Sequence, residues 1–359
     1  MATLKNLTIS DTGFIQLPTG TTAQRPVGPT AGMIRFNTDT RTVETYTAAG
    51  WVSSSKTQTA TGGTITSVGG YTIHTFTSDG TFTPSYSGVV DILLVGAGGA
   101  GGAGIGGGGG GGGLIFNTGS TVNSGTAYPI TVGTTSPAPG PGHGPVGATG
   151  IPTTGLGITA NGGGGGCGYY GPGTPSPSQG DGGSGAGGPG YGYATGVRPA
   201  GIGFGGQGHP GGYGYHGPHA LGTVHAGGGG GGAGEPGYNR QGGVINTAGA
   251  GNFPYNNGPA QRWDVSHRGN ASGGNGIANT ISGAQQHYSG GGGGGGHTAY
   301  GYNHNNGGKG GGGHCNGNGP NSGTGGTYYG GAGGAGSHPD PSAGGTGYQG
   351  IVIVRYQTR

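Results

Sequence analysis

The sequence predicts an all-β chain: a short N-terminal β-hairpin module, then a β-sandwich holding a packed polyglycine body, with no α-helix. Three observations carry this expectation. Glycine fills 108 of the 359 positions and lies partly in unbroken runs, at Gly106–Gly113, Gly162–Gly166, Gly227–Gly232 and Gly290–Gly296. Strand-grade segments cluster between residues 71 and 132 and return only at Ile351–Tyr356. No stretch repeats its apolar residues at helical spacing.

Composition narrows the classes. Only 28% of residues are hydrophobic and 6% charged, so a conventional core can organise only part of the chain. Collagen requires glycine at every third position, which the unbroken runs violate. The formal net charge of +3 is spread thinly, without the clustered cations that phosphate neutralisation needs. No nucleic-acid partner is therefore expected. Apolar stretches such as Ile92–Val95 and Ile351–Val354 are far too short to span a bilayer. Met1–Ser10 has no apolar core of a secretory signal, so a soluble cytoplasmic product is expected, with any extracellular role reached by release in a particle. By the same logic Cys167 and Cys315 are expected as free thiols, a single disulfide being the alternative.

From the N-terminus, Met33–Asn37 and Val43–Thr47 alternate apolar and polar residues around the turn Thr38–Thr42, which predicts a hairpin. Trp51-Val52, after Gly50, predicts a short third strand. So small a unit is marginal alone and calls for oligomerisation or docking. Leu17–Pro26 with its Gln-Arg-Pro, then Gly32-Met-Ile-Arg-Phe-Asn37, Glu44-Thr-Tyr46 and Trp51-Val52 resemble a module of phage tail fibre and other virion appendage proteins. That resemblance implies a trimeric fibre and an attachment role for residues 1–60, of which Ser53–Gly63 reads as a linker.

Residues 61–359 form the second expected domain. Tyr71–Thr77, Asp79-Gly80 and Thr81–Thr83 predict a hairpin, because glycine accepts the positive φ of a primed turn. Val89–Val95, Leu114–Phe116 and Tyr128–Val132 predict further strands, buried in the first case. The apolar signal then lapses until Ile351-Val-Ile-Val-Arg-Tyr356. A terminal strand of that quality must pair, and its only comparable partners lie between 71 and 132. The body at about 134–344 is then an insertion whose ends meet at one sandwich, with strands at about 70–133 and 350–357. Phe76–Pro84, Val90–Gly99, the run Gly106–Gly113 and the ending Gly350–Tyr356 resemble a glycine-rich domain found in phage appendage proteins and in anaplastic-lymphoma-kinase-type receptors. The resemblance covers most of residues 70–357 and implies a jelly-roll-like sandwich carrying polyglycine II helices.

Physical chemistry allows such a body. A helix of the polyproline II type has three residues per turn, rises about 3.1 Å per residue and makes no internal hydrogen bonds. Its amides must find partners in neighbouring chains, and glycine permits that approach. Because glycine loses more freedom on ordering than any other residue, only a dense inter-helix lattice offsets the cost.

Sites of chemistry are sparse. Val95-Gly-Ala-Gly-Gly-Ala-Gly101 follows a strand and imitates a dinucleotide fingerprint, but runs into polyglycine where a helix is required. The nine carboxylates are scattered, and no pair is positioned for acid–base work. In His314-Cys315 the two side chains are adjacent and generally point apart. Neither an enzyme nor a cofactor is expected. Twelve histidines raise the question of metal, yet His216-Gly-Pro-His219 is no zinc pattern without further ligands, so none is expected.

What interrupts the glycines is more informative. Tyr213, Tyr215, His216, His219, Trp263, Tyr288, Tyr300 and Tyr302 sit among Asn, Gln and His. Tyr with Gly and Asn is the composition of paratope loops, which combine large rigid contacts with adaptable hydrogen bonding. These eight residues are the expected receptor-binding set. The functional expectation is a homotrimeric phage tail fibre or adhesin within the virion. It would join other tail or fibre proteins through the N-terminal module and bind a host surface glycan or outer-membrane protein. The rival expectation is a structural virion fibre, such as a collar whisker or capsid decoration, without receptor specificity. An ice-binding bundle would need a regular Thr/Ala ladder, which the irregular interruptions lack.

Overall fold

The computed structural model describes residues 13–53, 58–142, 144–168, 180–190, 196–219, 222–239, 271–296, 304–316, 323–338 and 342–358. It divides into two compact units, one ending at Thr59 and the other spanning Ala60–Gln357. The chain is nearly all β, and among the described residues the one helical turn is the 3-10 turn Thr22–Gln24.

The first unit is a four-stranded sheet of β1 (Thr19–Gly20), β2 (Ile34–Asn37), β3 (Thr42–Thr47) and β4 (Gly50–Ser53), in that order. Arg35 pairs with Glu44, and Tyr46 with Trp51. Glu44 is 2% exposed and lies at the centre of the covered face. Arg25 Nη2 reaches its Oε2 at 2.7 Å, Asn37 Nδ2 donates to the same oxygen at 3.1 Å, and Arg35 Nε lies 3.4 Å from Oε1. The Arg25 hydrogen bond holds the Glu44 carboxyl below the usual carboxylate range, against the opposing effect of desolvation. Arg25 also lies over the Trp51 ring, 5.9 Å from its centroid. The scattered Gln-Arg-Pro, Arg-Phe-Asn, Glu-Thr-Tyr and Trp elements thus meet around one buried carboxylate.

In the second unit the strands are, in chain order, β5 (Ala60–Thr61), β6 (Thr64–Val68), β7 (Tyr71–Phe76), β8 (Gly80–Pro84), β9 (Gly88–Val95), β10 (Leu114–Val122), β11 (Tyr128–Thr131), β12 (Thr153–Gly155), β13 (Ile158–Ala160), β14 (Gly196–Arg198), β15 (Gly214–His219), β16 (Gly222–Ala226), β17 (Ile277–Asn279), β18 (Gln286–Tyr288), β19 (His304–Asn305), β20 (Cys315–Asn316) and β21 (Ile351–Gln357). Two five-stranded antiparallel sheets, ordered β10-β9-β21-β7-β6 and β13-β12-β11-β8-β5, enclose the main core. Ile92, Leu94, Val352 and Val354 from the first sheet meet Phe82, Ile130 and Ala160 from the second. The opposite face of the first sheet is covered as well, with Leu93, Val95, Ile351 and Ile353 against Ala233, Ile281 and Tyr288. Burial on both faces explains why β9 and β21 are continuous apolar runs with little alternation. The terminal strand pairs as expected, with Ile353 set between Leu93 of β9 and Thr75 of β7.

Two local expectations are corrected. Asp79-Gly80 is no hairpin turn, because β7 belongs to one sheet and β8 to the other. The chain crosses between sheets there, and Asp79 Oδ1 accepts the Val132 amide at 2.8 Å. The hairpin turn lies earlier, at Gly69-Gly70 between β6 and β7, with φ of 59° and 80°. The sandwich also takes a hairpin from within the expected polyglycine body, β12–β13, turning at Leu156-Gly157 with φ of 52° and 76°.

The glycine runs form the lattice that physical reasoning requires. In the central run 106–113, the amides of Gly107, Gly110 and Gly113 donate to Cys167, Gly164 and Asn161. Those of Gly108 and Gly111 donate to Gly228 and Gly231, and those of Gly109 and Gly112 to Gly333 and Gly330. The carbonyls repeat the period. Gly107, Gly110 and Gly113 accept from Gly102, Gly99 and Gly96, while Gly108 and Gly111 accept from Gly187 and Ser184. Gly106 and Gly109 accept from Gly295 and Gly292, and the Ser289 hydroxyl donates to the Gly112 carbonyl. Successive residues therefore address three directions, as a threefold helix must. The run is enclosed by three acceptor and three donor segments. A Cβ built on Gly107, Gly110 or Gly112 falls against the carbonyl of Gly187, Ser184 or Gly96, far closer than the 3.0 Å that real Cβ atoms respect.

Candidate functional site

The hydrogen-bond register gives the lattice two distinct ends. Gly96 continues from β9, Gly113 leads into β10 and Asn161 follows β13, so these residues mark the sandwich end. Gly102 and Gly107 bond to each other at the opposite, remote end, where Gly107 meets Cys167 and Gly106 meets Gly295. Gly168, Gly190, Gly296 and His338 reach that remote end, each placed by its own or its neighbour's backbone bonds. Asn239 lies toward it, fixed by its side-chain oxygen, which accepts the Tyr213 amide at 2.7 Å. Each of these five residues borders a segment rich in Tyr, His, Asn or Pro.

Of the residues expected to bind a receptor, Trp263, Tyr300 and Tyr302 lie outside the described residues. Tyr213 and Tyr215 are half-buried at the remote end, Tyr213 just before β15 and Tyr215 within it, opposite Val197 of β14 and Ala226 of β16. His219 ends β15 opposite Gly222. His216 is set against His225 of β16, with ring centroids 4.6 Å apart. Sequence spacing had grouped His216 with His219. Strand pairing instead joins it to a histidine nine positions on, a partner that only knowledge of the β15–β16 register could have supplied.

Tyr288 is a correction. It is 1% exposed, sits in the cluster under the first sheet and packs 5.6 Å from the Tyr328 ring, so its side chain cannot touch a ligand. Its position at the sandwich end of the run 289–296 explains the burial. Tyr328, Tyr329 and Tyr348 extend this cluster, with successive ring centroids 5.0 and 5.7 Å apart. Burial pushes the Tyr328 phenol up to about 12. Nothing in the local sequence distinguishes these packed tyrosines from those at the remote end.

Both cysteines are free thiols, and burial, helped by nearby Asp181, raises Cys167 to about 11. Such a thiol is protonated and inert at neutral pH. Among the described residues no three His, Cys, Asp or Glu side chains converge as a metal-holding group. No helix among them is long and apolar enough to cross a membrane.

Fold and site together define a β-sandwich scaffold that carries a polyglycine lattice and exposes its sequence variety at one end. The chain belongs to the glycine-rich domain family, whose model matches residues 74–357. A comparison with curated proteins finds no match.

Proposed function

We infer that this protein is a phage tail fibre or related virion appendage that acts as a receptor-binding adhesin. The N-terminal unit would join it to other tail or fibre proteins, and the chain would work as a homotrimer. The Tyr/His/Asn-rich segments at the remote end of the lattice would bind a host surface glycan or outer-membrane protein. One observation carries the reading: the described residues bordering those segments gather at the end of the lattice away from the sandwich. A scaffold that directs its chemical variety to one pole, while its interior is nearly all glycine, suits display. The lattice holds the ends of each segment still, so less ordering entropy is lost on binding.

The rival, a structural virion fibre without receptor specificity, draws support from Tyr288, a tyrosine whose role is packing. Immunogold electron microscopy of virions, with antibody to residues 134–344, separates the two. Label at the distal tips of tail fibres is the expected result. Label confined to the collar, tail shaft or capsid overturns the adhesin reading in favour of the rival, and unlabelled virions overturn both.

A further inference from the structure

β15 and β16 place His216 and His225 directly opposite one another in an antiparallel pair. Opposed residues leave such a pair on the same face, and here the two imidazoles converge. Their planes are inclined at 54° and their Nδ1 atoms lie 3.0 Å apart. Both side chains are half-buried. The pair stands on a firm edge, because Ala226 bridges to Gly296 and the next amide, Gly227, donates to Gly295 of the lattice at 2.8 Å.

Two ring nitrogens this close aim at one locus. With both rings neutral, one Nδ1 carries a proton and donates it to the lone pair of the other. A borderline divalent metal can take the proton's place once the donor ring shifts its proton to Nε2, leaving two Nδ1 lone pairs facing the same point. A tetrahedral zinc with Zn–N bonds of about 2.0–2.1 Å separates two nitrogen ligands by about 3.3 Å. The observed 3.0 Å is therefore close to ligating geometry and requires only a small opening of the rings.

We propose that His216 and His225 form a two-histidine site for a divalent transition metal of the zinc class, each ligating through Nδ1. With no third His, Cys, Asp or Glu joining them among the described residues, the other coordination positions are open to water or an incoming donor atom. Such a site binds metal reversibly and is not the closed four-ligand type that holds a fold together.

The test is calorimetric titration of Zn2+ into the full chain and into His216→Ala, His225→Ala, the double variant and His287→Ala. One binding event should be present in the wild type and in His287→Ala, and absent alike from both single variants and the double. Equal heats in the wild type and His216→Ala overturn the site, as does an event that survives loss of one histidine and not the other. Unfolding midpoints measured without metal check the fold of each variant. His216→Gln and His225→Gln, which keep a hydrogen-bonding side chain on each strand, replace any alanine variant that fails to fold.

Discussion

Replacing Gly110 by alanine adds one methyl group at the centre of the lattice. Gly110 donates to Gly164 at 2.8 Å and accepts from Gly99 at 2.9 Å, and its missing Cβ would fall against the Ser184 carbonyl. That carbonyl belongs to the segment that donates from Ser184 to Gly111 at 3.0 Å and from Gly187 to Gly108 at 2.8 Å. Making room displaces the segment and costs both bonds, about 1–3 kcal/mol together, besides overpacking of a further ~1–3 kcal/mol. Alanine's smaller unfolded-state entropy offsets only about 0.4–1 kcal/mol. The net loss is about 2–5 kcal/mol, a fall in midpoint of roughly 4–10 °C for a unit of this size. Gly140→Ala is the matched control, since Gly140 is exposed and no atom lies within 4 Å of its built Cβ. It should be neutral or stabilising by up to ~1 kcal/mol. Differential scanning calorimetry of both variants decides the matter. Equal midpoints would refute the claim that close approach, and not chain flexibility, is what the glycines provide.

Glu44→Gln leaves Arg25 and the buried Arg35 without their carboxylate and should cost about 3–5 kcal/mol, read as loss of native Trp51 fluorescence at lower denaturant. The wild-type pair carries a pH signature. Because the folded carboxyl sits below its ordinary value of 4.5, the stabilisation is complete above that value and lost as pH falls through the depressed one, so acid should unfold the N-terminal unit over that window. Cys167, at about 11, should resist alkylation by iodoacetamide at pH 8 in the native protein and react readily after denaturation; fast native labelling would contradict its burial. Tyr288→Ala should destabilise the second unit by about 3–5 kcal/mol in chemical denaturation, as core aromatic truncations do, whereas a surface contact residue would change little.

The sandwich was legible where side chains carry a pattern. The apolar continuity of Ile351–Tyr356 announced a doubly buried strand, and its partners followed from there being few of equal quality. Asp79-Gly80 misled because a turn dipeptide reports local conformation and not which sheet each flank joins; that choice was made by pairing with distant β21 and β11. The hairpin β12–β13 was hidden because Thr153–Ala160 offers few large apolar residues. The lattice period was nearly invisible, since a run of identical residues has no side chain to repeat. One trace of it existed. Ala97, Ala100 and Ala103 recur every third residue, all are fully buried, and their amides donate in turn to Ile151, Ala148 and Pro145. At the remote end, Tyr213 and Tyr215 could be suspected from composition, whereas the His216–His225 pairing depends on register and could not.

The threefold repeat of the run 106–113 also fixes how its length can change. Each residue is addressed to one neighbour by its place in a cycle of three. Deleting one glycine turns every later residue by a third of a revolution, so an amide meant for the 161–167 segment faces another and the whole downstream wiring is scrambled. Deleting three shortens the rod by one turn and leaves each remaining address intact. Such a sequence tolerates loss and gain in triplets of residues, a reading frame written in the protein itself and kept by hydrogen bonds alone.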